Sequence, residues 1–305
     1  MKHDFAPVEW NEQLEDDCRQ IVRLAVREDL DRFCDWTTVS LVPADAQAEA
    51  GIVSRDSGII SGLAVLKTAI DEMNANIRVE LHLQDGMQVS PGDVVATLTG
   101  SARDMLTTER ILLNLTGRLS GIATLTHQYA QQIRNTHAQV YDTRKTTPGW
   151  RRLEKYAVRT GGGKNHRVGL FAAVMIKDNH LALSEDHGLT PHAAVVRTRN
   201  FLENASKENP LLADMIVEVE VDSFEQFQEV LPANPDIALL DNMDCETLSK
   251  CVAWRNEHAA DVELEASGGV TLQTILSIAE TGVERISVGA LTHSAVNFDV
   301  GLDWH

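Results

Sequence analysis

At 305 residues, with 43% apolar and 24% charged residues, the chain has the make-up of a soluble globular protein with room for one large and one smaller domain. Its net charge of −18 argues against a general nucleic-acid surface, which needs Lys and Arg to neutralise phosphates. No apolar run reaches the roughly 18 residues of a membrane span, and the acidic first 17 residues lack an apolar signal segment. The expectation is a cytoplasmic protein without a membrane partner. Cys18, Cys34, Cys245 and Cys251 form no CxxC pair and no zinc-like spacing with His, so free thiols in a reducing compartment are expected.

Residues 10–29 predict an amphipathic helix, with Ile21, Val22, Leu24, Ala25 and Val26 set among charges. Residues 48–60 and 77–99 predict strands around a helix at 62–75, and Ser90-Pro91-Gly92-Asp93 marks a turn before an apolar run. Residues 105–134 carry leucines at helical spacing, and Gly117 and Gly121 mark either close packing or a break. A domain boundary is placed near residue 113, with an α+β domain over 1–113 and a second domain over 114–294.

After residue 137 short strands at 138–142, 172–176, 215–221, 236–240, 262–266 and 285–288 alternate with helices at 190–204, 223–231, 244–259 and 271–281. This alternation predicts a parallel sheet. No GxGxxG follows the first strand, so an incomplete α/β barrel fits better than a dinucleotide-binding sheet.

In such barrels the strand C-termini build the site. Each predicted strand ends on chemistry: Asp142 then Arg144 and Lys145; Ile176 then Lys177; Glu220 within VEVEV; Asp241; Ser267-Gly268-Gly269; and Gly289. A single charged residue after a strand is ordinarily just a turn; six in succession on one rim are harder to explain that way. Residues 138–180 hold nine Lys or Arg against three Asp or Glu, a basic cluster in an acidic chain, which points to a small anion. The two carboxylates suit Mg²⁺ beside phosphates. The glycine turns leave backbone N–H groups open to phosphate, and a helix starting at 271 would add its N-terminus. Gly161-Gly162-Gly163 is weak evidence alone and gains weight from the His166-Arg167 that follow. Arg110, on an otherwise apolar helix, looks like a surface charge on spacing alone.

ERILLNLTGRLSGIAT at 109–124, DTRKTTPGWRRLEKYAV at 142–158, GGGKNHRVGL at 161–170, IKDNH, VEVEV, LLDN, EASGGV and ISVGALTHS together resemble the quinolinate phosphoribosyltransferase family across nearly the whole chain. The resemblance implies an N-terminal α+β sandwich domain followed by an incomplete parallel α/β barrel, with the tail at 295–305 returning to the first domain. It implies transfer of phosphoribosyl from 5-phosphoribosyl 1-pyrophosphate to quinolinate, with Mg²⁺, in a homodimer or an assembly of dimers. Arg110 is then contributed to the neighbouring copy's site. Arg144, His166, Arg167 and Lys177 hold quinolinate. Lys145 lies beside the pyrophosphate or ring carboxylate, Glu220 and Asp241 at the ribose hydroxyls and metal, and Ser267, Gly268, Gly269, Ser287 and Gly289 at the 5′-phosphate. Lys145, Lys177, Glu220 and Asp241 form the expected catalytic group. Asp31 departs from the family pattern, where glycine is common after REDL, and Leu239 stands where methionine is frequent.

Three readings compete. A Schiff-base aldolase could use Lys145 or Lys177, but leaves the carboxylate pair and glycine turns unexplained. A non-catalytic anion binder would be expected to lack the Arg-His cluster. A nicotinate-specific transferase, facing one carboxylate, would not call for so many cations.

Overall fold

The computed structural model describes residues 4–184 and 188–304. The chain begins with α1 (Glu12–Leu30), α2 (Trp36–Leu41), β1 (Gln47–Ser54), β2 (Gly58–Ile59) and α3 (Leu63–Glu72). Then β3 (Ile77–Leu81), β4 (Gln88–Val89) and β5 (Val94–Ser101) lead into the long helix α4 (Ala102–Gln132). Strands and helices alternate from there: β6 (Gln139–Tyr141), α5 (Arg151–Thr160), β7 (Val174–Ile176), α6 (Asp178–Ala182), α7 (Pro191–Ser206), β8 (Val217–Val221), α8 (Phe224–Val230) and β9 (Ile237–Asp241). The series closes with α9 (Cys245–His258), β10 (Glu263–Ser267), α10 (Ile275–Glu280), β11 (Arg285–Ser287), α11 (Ala290–His293) and β12 (Val300–Trp304). No described helix is long and apolar enough to cross a membrane.

The chain forms two compact units. One comprises Pro7–Gln128, Lys145–Gly163 and the residues from Leu291 onward. The other comprises the residues up to Ala6, Tyr129–Arg144 and Lys164–Ala290. Residue 113 lies inside α4, which continues without a break for 31 residues.

The first unit is an α+β sandwich. Its antiparallel sheet has the order β12-β1-β5-β3. β1 alternates into a buried run from Ala50 to Ser54, and β5 buries Val95, Ala96 and Leu98 beside it. α1 is capped by Asn11, whose side chain accepts from the Leu14 amide at 2.9 Å, and it packs on α3 and α5. The Ser90–Asp93 turn closes as expected, with the Asp93 amide donating to the Ser90 carbonyl at 3.1 Å. The tail enters the sheet as β12, antiparallel to β1. α4 meets the tail at close range because Gly117 and Gly121 carry no side chain. A Cβ at Gly121 would lie 2.0 Å from the Val296 carbonyl oxygen. The Phe298 amide donates to the Gly117 carbonyl at 2.9 Å.

The second unit is the incomplete parallel barrel. Six strands run in the order β6-β11-β10-β9-β8-β7, all neighbours parallel. β6 and β7 are the two ends of that order, so the barrel is open between them. An extended segment at Lys164 lies along the outer edge of β6, its amide donating to the Val140 carbonyl at 2.7 Å. The chain's first described residues also belong here: Phe5 is buried with Ala173, Ile216 and Ile237, which precede or begin β7, β8 and β9. Side-chain alternation sorts the sheet into two faces. Val140, Val217, Val219, Val221, Ala238, Leu240, Leu264, Ala266 and Ile286 occupy one face and are all buried. The other face is mostly polar, and it carries the candidate site.

Candidate active site

Strand register builds the polar face row by row. Nearest the strand C-termini, Tyr141 is paired with Ser287 and Asp241 with Ser267, while the Ile286–Ala266 pair sets Ser287 beside Ser267. One pleat below, Gln139, Arg285, Glu265, Leu239 and Glu220 are in register. Lys177, one step past the Ile176–Val219 pair, joins this row. A third row holds Glu263, Ile237, Glu218 and Met175. Because all six strands are parallel, Arg144, Lys177, Asp241, Ser267-Gly268-Gly269 and Gly289 reach the same rim.

Local bonds fix the groups at this rim. The Lys177 ammonium forms a tight ion pair with Oε2 of Glu220. The side-chain amide of Asn242 donates to Oδ2 of Asp241 at 2.7 Å. Buried Asp142 accepts from Nδ2 of Asn165 and from the amide of His166, both at 2.8 Å, which ties the β6 end carrying Arg144 to the segment carrying Arg167. Arg167 is buried; its guanidinium donates to the Ala173 carbonyl at 3.1 Å and to the Met175 sulfur at 3.5 Å. Burial pushes its pKa down, with Arg144 adding to that push and Glu218 opposing it.

His166 is placed differently from a rim residue. Its ring is 4% exposed and lies 4.5 Å from the Phe5 ring, centroid to centroid. Nε2 is 3.0 Å from one oxygen of Glu218 and 3.3 Å from the other, and 3.5 Å from Glu265. Burial alone would lower its pKa; Glu218 and Glu265 outweigh burial and raise it. Nδ1 accepts from the Arg167 amide at 2.8 Å, so the ring's N–H is on Nε2, aimed at the two carboxylates. Burial raises Glu218, whereas His166 and Arg285 hold Glu265 low against its burial. Arg285, fully buried, donates to Glu265 at 2.8 Å and stacks 3.8 Å over the Tyr141 ring. The ligand atoms of His166, Glu218 and Glu265 lie within 4.8 Å of one another, close enough for a metal. However, Nε2 presents a proton rather than a lone pair, and Arg285 already neutralises Glu265. The cluster is an ion-pair network beneath the rim.

Two expected site residues, Arg110 and Lys145, belong to the other unit. Arg110 is largely exposed on α4, with Glu109 at 3.9 Å. The Lys145 carbonyl accepts from the Thr292 hydroxyl at 2.7 Å. The expected helix at 271 is corrected: α10 starts at Ile275. Thr271 and Thr274 bond to each other's side chains and backbone, with the Thr271 amide donating to Oγ1 of Thr274 at 2.9 Å, so the segment is spent on a turn. The Thr271 carbonyl accepts from the amides of Thr274 and Ile275, so this turn leads directly into α10. Spacing did not single out Glu218, Glu265, Arg285 or Asn242. The alternating acids of VEVEV and ELEAS were the available signal, since alternate strand residues share a face.

Comparison with known proteins agrees along the chain. The family model described as quinolinate phosphoribosyl transferase, C-terminal domain, matches residues 122–303, and the N-terminal domain model matches residues 35–120. A nicotinate-nucleotide pyrophosphorylase [carboxylating] of Mycobacterium leprae is 40% identical over 94% of this chain and 97% of its own. A probable enzyme of the same name from Bacillus subtilis is 38% identical over 88% of this chain and 87% of its own. The structure of the nicotinate-nucleotide pyrophosphorylase from Francisella tularensis superposes with a TM-score of 0.85 at 31% identity, covering 99% of this chain and 100% of the other.

Proposed function

The chain belongs to the quinolinate phosphoribosyltransferase family, and from that premise we infer that it transfers phosphoribosyl from 5-phosphoribosyl 1-pyrophosphate to quinolinate, releasing pyrophosphate and carbon dioxide and forming nicotinate mononucleotide. One observation carries the assignment of the site: cations, an acidic pair and a glycine turn reach a single rim of one parallel sheet.

Quinolinate bears two carboxylates, and Arg144, Arg167 and Lys177 supply the charges to hold them. The planar fork of Arg binds a carboxylate through two parallel hydrogen bonds. The pyridine nitrogen attacks the anomeric carbon as the bond to pyrophosphate breaks. Glu220 and Asp241 face the ribose hydroxyls, and the Ser267-Gly268-Gly269 turn, with Ser287 and Gly289, takes the 5′-phosphate through backbone amides and hydroxyls. Holding both reactants in line lowers the barrier by roughly 7–11 kcal/mol for a well-oriented pair. The pyridinium then draws the electron pair left on the ring carbon as carbon dioxide departs, and a proton takes its place. His166 acts from below, through the Arg167 amide bound to its Nδ1.

Glu220 and Asp241 also fit Mg²⁺: with Lys177 on one Glu220 oxygen and Asn242 on one Asp241 oxygen, each keeps a second oxygen, on neighbouring strands and one face of the sheet. Bound there, Mg²⁺ supplies positive charge that stabilises the departing pyrophosphate. The same reading makes the protein a cytoplasmic homodimer.

A product assay tests the reaction. With quinolinate, 5-phosphoribosyl 1-pyrophosphate and Mg²⁺, the protein is expected to release carbon dioxide and nicotinate mononucleotide in equal amounts. Equal or faster turnover of nicotinate, or nucleotide formed without carbon dioxide, contradicts the assignment.

A further inference from the structure

We propose that Asn242 is a positioning residue that fixes the Asp241 carboxylate and the Ser267-Gly268 turn as one unit, and so sets the affinity for the phosphoribosyl donor; the proposal rests on the functional reading above. Asn242 follows β9 directly and has φ of 54°, a left-handed conformation that Asn tolerates better than most residues. It is joined to both groups. Its side-chain amide donates to Oδ2 of Asp241 at 2.7 Å. Its backbone amide donates to the Ser267 carbonyl at 2.9 Å. Its side chain also packs onto Gly268: a Cβ there would lie 2.1 Å from Oδ1 and 2.9 Å from the backbone nitrogen of Asn242. Gly268 itself has φ of 97°. The turn therefore has room for the Asn242 side chain only while residue 268 has none.

The consequence is chemical. A lone carboxylate at a strand end turns freely about its last bond. A donor on one oxygen locks that rotation and aims the second oxygen. The lock is shared with the turn assigned to the 5′-phosphate, so the two contacts on the sugar phosphate are set at a constant separation. The groups assigned to quinolinate lie elsewhere, just past β6 at Arg144, in the 165–167 segment and just past β7 at Lys177. Loss of Asn242 is therefore felt at one substrate.

Two variants separate the side chain from the backbone turn. Asn242→Gly keeps the left-handed turn and the bond to Ser267 but loses the carboxamide. Asn242→Asp keeps size and backbone but sets an oxygen against Asp241 in place of the donor. Calorimetric binding of 5-phosphoribosyl 1-pyrophosphate with Mg²⁺, and of quinolinate separately, reads the effect without turnover. Both variants are expected to weaken donor binding by about tenfold, the scale of a hydrogen bond to a charged group, with quinolinate affinity within about twofold and the donor KM rising in step. A turn-forming role alone predicts Asn242→Gly at wild-type donor affinity, which overturns the proposal, as does an equal loss for both ligands. Wild-type protein that binds neither ligand rejects the functional reading instead.

Discussion

Asp31 ends α1 at φ 47° and ψ −110°, a conformation that an L side chain adopts only under strain. It is exposed, and its amide still closes the helix by donating to the Arg27 carbonyl at 3.0 Å. Glycine, which the family resemblance implies at this point, would adopt that geometry without strain. Asp31→Gly should relieve the strain and, after the entropy glycine loses on folding, gain about 1 kcal/mol. The expected result is a higher urea midpoint with an unchanged slope; a lower midpoint places the strain elsewhere. Residue-level legibility follows the same physics. Lys177 and Asp241 could be named because each directly follows an apolar run, so their place at a strand end is local information. Glu265, Arg285 and Asn242 could not, because they meet their partners only when β10 registers with β11 and β9. The burial of His166 was not legible: nothing in Asn-His-Arg says that the ring turns toward Glu218 rather than to the rim.

At the scale of elements, α4 shows how a helix serves a neighbour. Its buried face carries Leu112, Leu115, Leu119 and Ile122, which helical spacing revealed. The two outcomes left open for Gly117 and Gly121 are settled by the tail, whose backbone lies against both. Gly121→Ala puts a methyl group 2.0 Å from the Val296 carbonyl oxygen, so the tail or the helix must shift. The expected cost is about 1–3 kcal/mol, as for other overpacked sites. Thermal unfolding checks it, and an unchanged midpoint shows that the tail yields freely. The strands at 217–221, 237–241 and 263–267 were legible to within two residues, because short apolar runs bounded by turn residues leave little freedom. α5 was not: its signal, Leu153 and Ala157 between Gly149 and Gly161, was overshadowed by basic residues. α10 begins four residues later than the spacing predicts, because Thr271 and Thr274 bond to each other in the turn before it.

At the scale of the whole molecule, Arg110 bears on assembly. Arg110 stands largely exposed on a helix whose surrounding residues Ile111, Leu112 and Leu113 are buried, and Glu109 at 3.9 Å is a weak ion-pair partner in solvent. An exposed arginine on an amphipathic helix is by itself ordinary; we propose, on the family reading, that it is a cation supplied to a second copy. This can be tested without a structure of the dimer. Arg110→Ala and Arg144→Ala proteins should each be nearly inactive, because each leaves every site short of one arginine. Refolded together, half of random dimers are hybrids, and each hybrid holds one site with both arginines and one with neither. Activity should then return to about a quarter of the wild-type value. The symmetry of a two-fold dimer forces that fraction, which a simple sum of two crippled enzymes does not reach. Hybrids verified by mass and still inactive would place Arg110 and Arg144 at the same copy's site, or remove Arg110 from the chemistry.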